Sequence, residues 1–256
     1  MATYKKRGYK PKTKTEEVEQ IEDQSTTAEV FNTLDETASK TEEWVAANQK
    51  YIFIIVGVVA LVVLGYLGYD KFIQEPKEQE ASNEMFKAQQ YFDNAVNGNS
   101  TLRDSLYTLA LNGGEGKYGF LQIIDNYGGT KAANLSNYYA GFAYLNMKKY
   151  QEAIDYLDAF KSDDEMLGPL AIGGIGDAFS QLDQTEEALS YYEKAAATKN
   201  NEYTTPKFLL KAALTAISLN KPEVAIPHLE RIKEEFSKSV EANQVDVHLG
   251  RAKAMQ

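Results

Sequence analysis

The sequence has 256 residues, a formal net charge of −10 and no cysteine. This length suggests one or two domains. The absence of cysteine excludes disulfides, thiolate metal sites and cysteine nucleophiles. The excess of 37 acidic over 27 basic residues argues against a nucleic-acid-binding protein.

The first 50 residues divide into a polar tail and a helical segment. Residues 1–14 hold six basic side chains, whereas residues 15–50 hold two lysines and ten acids. Such polarised, hydrophobe-poor composition predicts disorder over residues 1–24. Thr26 and Glu29 form a capping-box pattern, and an apolar stripe follows at helical spacing, so residues 25–50 are predicted to be an amphipathic helix. The stripe consists of Phe31, Leu34, Ala38, Thr41 and Val45. It is compatible with partner contact, a short coiled coil, the membrane surface or a solvated helix.

Residues 51–69, "YIFIIVGVVALVVLGYLGY", contain no charge. A helix of this length spans roughly 28 Å, close to the hydrocarbon thickness of a bilayer. Tyrosines lie at both ends, where aromatic rings prefer the membrane interface. A buried core helix is one alternative, and a cleaved signal peptide is another. Because 50 residues precede the segment, we predict an uncleaved transmembrane helix instead.

The orientation of this helix and its small residues lead to two further predictions. The basic first 14 residues favour a cytoplasmic N-terminus, although the charges beside the segment are balanced. One helix face carries small residues that would allow close approach of another membrane helix. These residues are Gly57, Ala60, Gly65 and Gly68. The alternative for them is the general tolerance of membrane helices for glycine.

Three windows of the remaining chain repeat the same pattern, at 137–160, 172–195 and 209–232, with spacings of 35 and 37 residues. Small residues, alanines and large residues recur at matching positions. The matched sets are Gly141, Gly176 and Ala213; Ala153, Ala188 and Ala225; and Leu157, Tyr192 and Leu229. A half-repeat at 236–250 matches 127–141, and its pattern predicts Thr130 and Ser239 as helix N-caps.

This pattern resembles the tetratricopeptide repeat, a helix-turn-helix unit of 34 residues. The small residues let paired helices touch, and the large ones fill the space between hairpins. We therefore predict an all-α fold, in which a single N-terminal transmembrane helix precedes a tetratricopeptide-repeat α-solenoid at 78–256. Repeats are placed near 134–167, 169–203 and 206–238, with a capping helix at 240–255.

Two local features of this domain carry predictions of their own. Residues 78–96 and 117–127 are predicted helices of a divergent first hairpin, with a Gly/Asn-rich insertion between them at 97–116. Pro227 falls inside the second helix of the third repeat, where a missing N–H group predicts a kink.

The first helix of each repeat is expected to line a concave groove, in which a partner protein would bind. The predicted groove residues are Leu135, Tyr138, Phe142, Asp177, Gln181, Leu210 and Leu214. The alternative for each of them is packing between hairpins. No small-molecule substrate is expected.

No catalytic pattern is present in the sequence. "GGEGKY" at 113–118 lacks the spacing of a phosphate-binding loop, and His228 and His248 have no metalloprotease spacing. The acidic "SDDE" at 162–165 is expected to be a loop between helices, with a metal site as the alternative. We therefore predict a non-enzymatic protein without metal or cofactor.

The combination of one membrane anchor, a basic tail and a repeat domain resembles the YfgM-like ancillary subunits of the SecYEG translocon. The resemblance implies a bacterial inner-membrane protein with a cytoplasmic N-terminus and a periplasmic repeat domain. It also implies the SecYEG channel and a membrane-anchored periplasmic chaperone as partners, and a role in assisting exported proteins. The alternative is a scaffold for another envelope machine, in outer-membrane, cell-wall or secretion-system assembly.

Overall fold

The computed structural model describes the backbone of residues 26–98 and 100–256, with side chains described for 41–98 and 101–256. The predicted tail at 1–24, the Thr26–Glu29 cap and most of the apolar stripe therefore lie outside the described side chains. The chain divides into two compact units, Met1–Tyr69 and Asp70–Gln256.

In the first unit, helix α1 covers Thr26–Tyr69. Its apolar residues are exposed to a high degree, as Leu61 at 72% and Val62 at 67% illustrate. Among the described residues, one helix is long and apolar enough to cross a membrane, and none of its most apolar window is buried. A core helix of a soluble protein would be mostly buried, so the exposure of this window disfavours that alternative.

The second unit consists of helices within its described residues, and its only β-pairing there is an isolated bridge between Gly114 and Lys117. It opens with a π-helical turn at Asp70–Gln74. The α-helices are α2 (Glu75–Asn97), α3 (Arg103–Asn112), α4 (Phe120–Asn126), α5 (Lys131–Asn146), α6 (Tyr150–Ala159), α7 (Leu167–Gln181), α8 (Thr185–Thr198), α9 (Thr204–Ser218), α10 (Pro222–Glu235) and α11 (Val245–Lys253). Short 3₁₀ turns precede α3 and α11, at Ser100–Leu102 and Glu241–Gln244.

The turns of the α5–α6, α7–α8 and α9–α10 hairpins share one geometry. Each contains a residue in the left-handed region, namely Lys148 (φ 61°), Asp183 (φ 60°) and Asn220 (φ 56°). The N–H group of the next residue then reaches back five positions, as from Lys149 to the Tyr144 carbonyl at 2.9 Å. The same bond joins Gln184 to Phe179 and Lys221 to Ala216. This closing bond is the Schellman arrangement of a helix C-terminus, so the sequence repeat is also a repeat of backbone conformation.

Glycines let the two helices of a hairpin pack closely. A Cβ atom at Gly141 would lie 2.5 Å from Leu157 Cγ, and one at Gly176 would lie 2.8 Å from Tyr192 Cδ1. Ala213 and Leu229 occupy the corresponding places in the third hairpin, and both are fully buried. The small and large residues that define the sequence repeat therefore mark the contacts within each hairpin.

The segment 97–116, predicted to be an insertion, contains helix α3. Tyr107 and Leu111 of this helix are 1% and 2% exposed and belong to the same core as Met85 and Ala88 of α2. In the sequence, α3 lies between the two helices that were predicted to form the first hairpin. Helix α2 packs more extensively on α3 than on any other helix. The predicted insertion between the two helices therefore contains a helix of its own, and its buried apolar residues make α3 part of the core.

Proline and capping residues have mixed outcomes. Helix α10 runs from Pro222 to Glu235 with Pro227 inside it, so the helix continues past this proline, and the kink stays a prediction. Thr130 caps α5 by accepting a hydrogen bond from the Ala133 N–H group at 3.0 Å. Ser239 accepts one from Ala242 at 3.2 Å, before the closing helix.

Candidate protein-interaction groove

The seven predicted groove residues lie on three first helices of hairpins, α5, α7 and α9. Contacts join α5 to α7 and α7 to α9, so the three helices form a continuous layer. Helix α5 carries Leu135, Tyr138 and Phe142, whereas α7 carries Asp177 and Gln181 and α9 carries Leu210 and Leu214. The fold thus brings these residues to one layer of helices, and their role in binding stays a prediction.

The α5 part of this layer is aromatic and partly buried. The Tyr138 ring lies 4.7 Å from the Phe142 ring and 5.2 Å from the Phe160 ring, measured between centroids. Burial raises the pKa of Tyr138 to about 12, with smaller contributions from Tyr139 and Asp164. The hydroxyl of Tyr138 therefore stays protonated to a higher pH than that of an ordinary tyrosine.

The centre of the layer is polar. Asp177 lies 2.5 Å from the Lys211 ammonium group and accepts a hydrogen bond from the Tyr192 hydroxyl at 2.7 Å. Lys211 also lies over the Tyr192 ring, 5.3 Å from its centroid. Burial and the neighbouring Asp177 carboxylate raise the pKa of Tyr192. Asp177 therefore connects α7, α8 and α9.

Sequence reasoning missed Lys211, although a signal was present. Lys211 is 34 residues from Asp177 and lies one helical turn before Leu214, the residue that corresponds to Asp177 in the next repeat. A pair of opposite charges at this spacing on successive first helices indicates an ion pair between neighbouring hairpins.

Accessibility separates the remaining groove residues. Gln181 is exposed and accepts a hydrogen bond from the Tyr150 hydroxyl at 3.2 Å. Leu214 is half-buried, whereas Leu210 is 7% exposed and belongs to the C-terminal core. Leu210 thus offers little surface to a partner, while Gln181 and Leu214 offer more.

The small residues of α1 have open space beside them. A Cβ atom at Gly57, Gly65 or Gly68 would meet no atom within 4 Å, and Ala60 is exposed. This leaves room for another helix at that face. Packing against a membrane partner stays a prediction for these residues.

The acidic loop at 162–165 has a structural role. The Asp164 carboxylate accepts hydrogen bonds from the N–H groups of Leu167 and Met166, each at 2.8 Å, at the start of α7. These backbone bonds lower the pKa of Asp164 below its usual value. Across the part of the chain that the structure describes, no group of three or more potential metal ligands comes together.

The two histidines lie outside the layer of first helices, His228 on α10 and His248 on α11. His228 Nε2 is 2.9 Å from the Glu193 carboxylate and so connects α10 to α8. His248 Nδ1 on α11 is buried without a hydrogen-bond partner among the described residues. Among the described residues, neither histidine belongs to a group of three or more potential metal ligands.

A cavity of about 460 Å³ lies between α6, α7 and α8. Its floor includes Ala171, Ile172 and Ile175, which lie on the side of α7 away from Asp177. The rim carries both lysine and aspartate, so it has no single charge preference. This cavity is separate from the predicted groove.

Comparisons with known proteins agree with the hairpin geometry. Family models of the tetratricopeptide repeat match residues 136–164 and 171–202. The chain therefore contains tetratricopeptide repeats. The matched segments cover the α5–α6 and α7–α8 hairpins, and the α9–α10 hairpin has the same turn. Such repeats are typical of protein-interaction scaffolds without enzymatic activity.

The chain is similar to one solved structure, a crystal structure of nearly identical TPR-like repeats described as a kinesin light chain of Podospora anserina. The two chains are 13% identical with a TM-score of 0.49, over 70% of this chain and 87% of that one. No curated protein matches the sequence.

Proposed function

We propose that the protein is a membrane-anchored interaction scaffold that serves as an accessory subunit of the Sec translocon. In this role it assists newly exported proteins together with a membrane-anchored periplasmic chaperone. The observation that carries the proposal is the layer of first helices α5, α7 and α9 in a chain that contains tetratricopeptide repeats. Stacked repeats create an extended surface suited to polypeptide partners.

The anchor is proposed from helix α1. Residues 51–69 carry no charge, and none of the most apolar window of this helix is buried in the described part of the chain. Exposed apolar surface of this extent is costly in water. Insertion in a bilayer removes that cost and keeps the repeat domain close to a membrane-embedded partner.

The partner assignment is tested by purification of the full chain under gentle conditions. Tagged protein is cross-linked in cells and extracted in a mild detergent, and its partners are identified by mass spectrometry. We expect SecY and a membrane-anchored periplasmic chaperone to be enriched over an untagged strain. Enrichment of another envelope assembly complex in their place would favour the alternative, a scaffold of outer-membrane, cell-wall or secretion-system assembly.

A matched pair of variants ties the partners to the groove. Gln181→Arg changes an exposed position of the predicted groove, whereas Gln151→Arg makes the same change at an exposed position of α6. The first variant should recover less partner, and the second should recover as much as the unchanged protein. Equal recovery of the partner with both variants would show that the partner does not bind at this groove.

The proposed orientation is tested by labelling with a membrane-impermeant maleimide, because the chain has no cysteine of its own. Single cysteines are introduced by Ser237→Cys in the repeat domain and Thr13→Cys in the tail. In intact spheroplasts, Ser237→Cys should be labelled, whereas Thr13→Cys should react only after the membrane is permeabilised. The reverse pattern would overturn the orientation.

A further inference from the structure

A second cavity, of about 380 Å³, lies between α2 and α5 at the N-terminal end of the layer of first helices. It is lined by Phe86, Gln89, Gln90, Asp93, Asn94 and Tyr139. These residues lie outside both segments that match the tetratricopeptide repeat, apart from Tyr139. The cavity adjoins the predicted groove through Tyr138, whose ring lies 5.7 Å from that of Tyr139.

The aromatic side of this cavity is held rigidly. The Tyr139 ring stacks on Phe120 at 5.2 Å and meets the edge of Phe92 at 5.1 Å. Phe92 in turn packs against the buried Tyr107 at 5.5 Å. In contrast, Phe86 is 67% exposed. A fixed aromatic floor beside an uncovered aromatic wall suits the burial of an apolar side chain.

The charge at this cavity has one sign. Asp93 is the charged residue of its lining, and the structure gives its exposed carboxylate no cation among the described residues. The Lys87 ammonium group lies at the edge of the lining, 3.1 Å from the Gln90 amide oxygen, but its charge is paired with Glu115 at 3.3 Å and lies over the Tyr91 ring at 5.0 Å. Charge complementarity therefore favours a cationic group beside the apolar side chain.

We propose that this cavity binds a segment of a partner polypeptide in which an aromatic or large aliphatic side chain adjoins a lysine or arginine. The apolar side chain lies between Phe86 and Tyr139, and the cation meets the Asp93 carboxylate. The Gln89 and Asn94 amides supply donors and acceptors for the backbone of the segment. This inference rests on the proposed function as a polypeptide scaffold and specifies the chemistry of one binding site on it.

The test measures fluorescence anisotropy of three labelled peptides with the full-length protein in detergent. The peptides differ only in a central pair within a Gly/Ser context: Arg-Phe, Glu-Phe and Arg-Ser. We expect Arg-Phe to bind about tenfold more tightly than either of the others, the scale of one charge-assisted hydrogen bond or one buried ring. Equal binding of the three peptides, or no binding of any, would overturn the proposal.

Variants assign the preference to this cavity. Asp93→Lys should make the Glu-Phe peptide bind more tightly than the Arg-Phe peptide. Asp104→Lys makes the same change on α3 and should leave the order of affinities unchanged. Phe86→Ser should weaken the binding of the Arg-Phe peptide. Val96→Ser, at another exposed position of α2, should leave that binding unchanged. An unchanged order with Asp93→Lys would contradict the proposal. These measurements need no Sec subunit, so their outcome is distinct from that of the partner purification.

Discussion

The Asp177 carboxylate on α7 and the Lys211 ammonium group on α9 form an ion pair between two successive hairpins. The Tyr192 hydroxyl donates to the same carboxylate, so the pair is also tied to α8. About a third of each charged side chain is exposed, which places the pair at the edge of the core. The ion pair therefore holds α7 and α9 together at the helices that carry the predicted groove residues.

Replacement of Lys211 by methionine should lower the stability of the repeat domain. The change keeps most of the apolar stem and removes the charge, leaving a half-buried Asp177 with Tyr192 as its remaining partner. Because solvent screens a partly exposed pair, we expect a loss of about 1 kcal/mol in the free energy of unfolding. Urea unfolding of the full chain in detergent, followed by circular dichroism at 222 nm, measures it.

Lys221→Met provides the control for that prediction. Lys221 lies 3.8 Å from Glu186, and both side chains are more exposed than those of the Asp177 pair. Its loss should cost no more than about 0.5 kcal/mol. Equal effects of the two substitutions would show that the Asp177–Lys211 pair stabilises the repeat domain no more than an exposed ion pair does.

Glycine at position 176 is predicted to be required for close helix packing. Gly176→Ala places a methyl group against the Tyr192 ring and the Ala188 carbonyl, which it would approach to 3.3 Å. Overpacking of this kind should cost about 1–3 kcal/mol, more than the gain in helix propensity from replacing glycine. Thermal unfolding of the variant measures the loss.

Gly250→Ala is the matched control, because it makes the same substitution within helix α11. No atom lies within 4 Å of the added methyl group. Helix propensity alone should then raise stability, by up to about 1 kcal/mol. The two alanine variants should therefore differ in sign, and a gain in stability at position 176 would contradict the packing argument.

The sequence predicted the hairpins well because their contacts depend on residue size at fixed spacing. Gly141 and Gly176 recur at matching positions of the sequence repeat, which predicts a close contact there. Leu157 and Tyr192 fill the space beside them. Helix α3 has no repeat pattern, and the glycines and asparagines at both ends of the segment led to its prediction as an insertion. Its place in the fold depends on tertiary burial of Tyr107, which no local pattern expresses.

The candidate site was less predictable than the fold. Helical spacing identifies which residues share a layer, but the difference between exposed Gln181 and buried Leu210 depends on how neighbouring hairpins lean together. The spacing of Asp177 and Lys211 indicates an ion pair, but the long side chain of Lys211 could take many directions, so the structure was needed to establish the pairing. The cavity beside Phe86 likewise depends on α2 meeting α5, outside the repeat pattern.

The burial of Tyr107 predicts that helix α3 is essential to the N-terminal core. Tyr107→Ala removes a ring that is 1% exposed and that packs edge-on against Phe92. Loss of a buried aromatic ring should cost about 3–5 kcal/mol. Leu102→Ala, at a position 61% exposed, should change stability by no more than about 0.5 kcal/mol. Comparable stability of the two variants in urea unfolding would show that α3 contributes little to the stability of this core.

The capping role of Asp164 predicts a specific dependence of stability on pH. Backbone hydrogen bonds from Leu167 and Met166 lower the pKa of this carboxyl group in the folded state, below its usual value of 3.8. The unfolded state therefore binds the proton more tightly, so the contribution of Asp164 is present above about pH 3.8 and disappears as pH falls through the lower, folded-state pKa. Asp164→Asn keeps an oxygen acceptor for the cap but cannot titrate. The difference in urea midpoint between the unchanged protein and this variant should be constant from about pH 7 to 5 and should shrink below about pH 4. A difference that stays constant down to pH values near 2.5 would show that the Asp164 charge has no part in holding the start of α7.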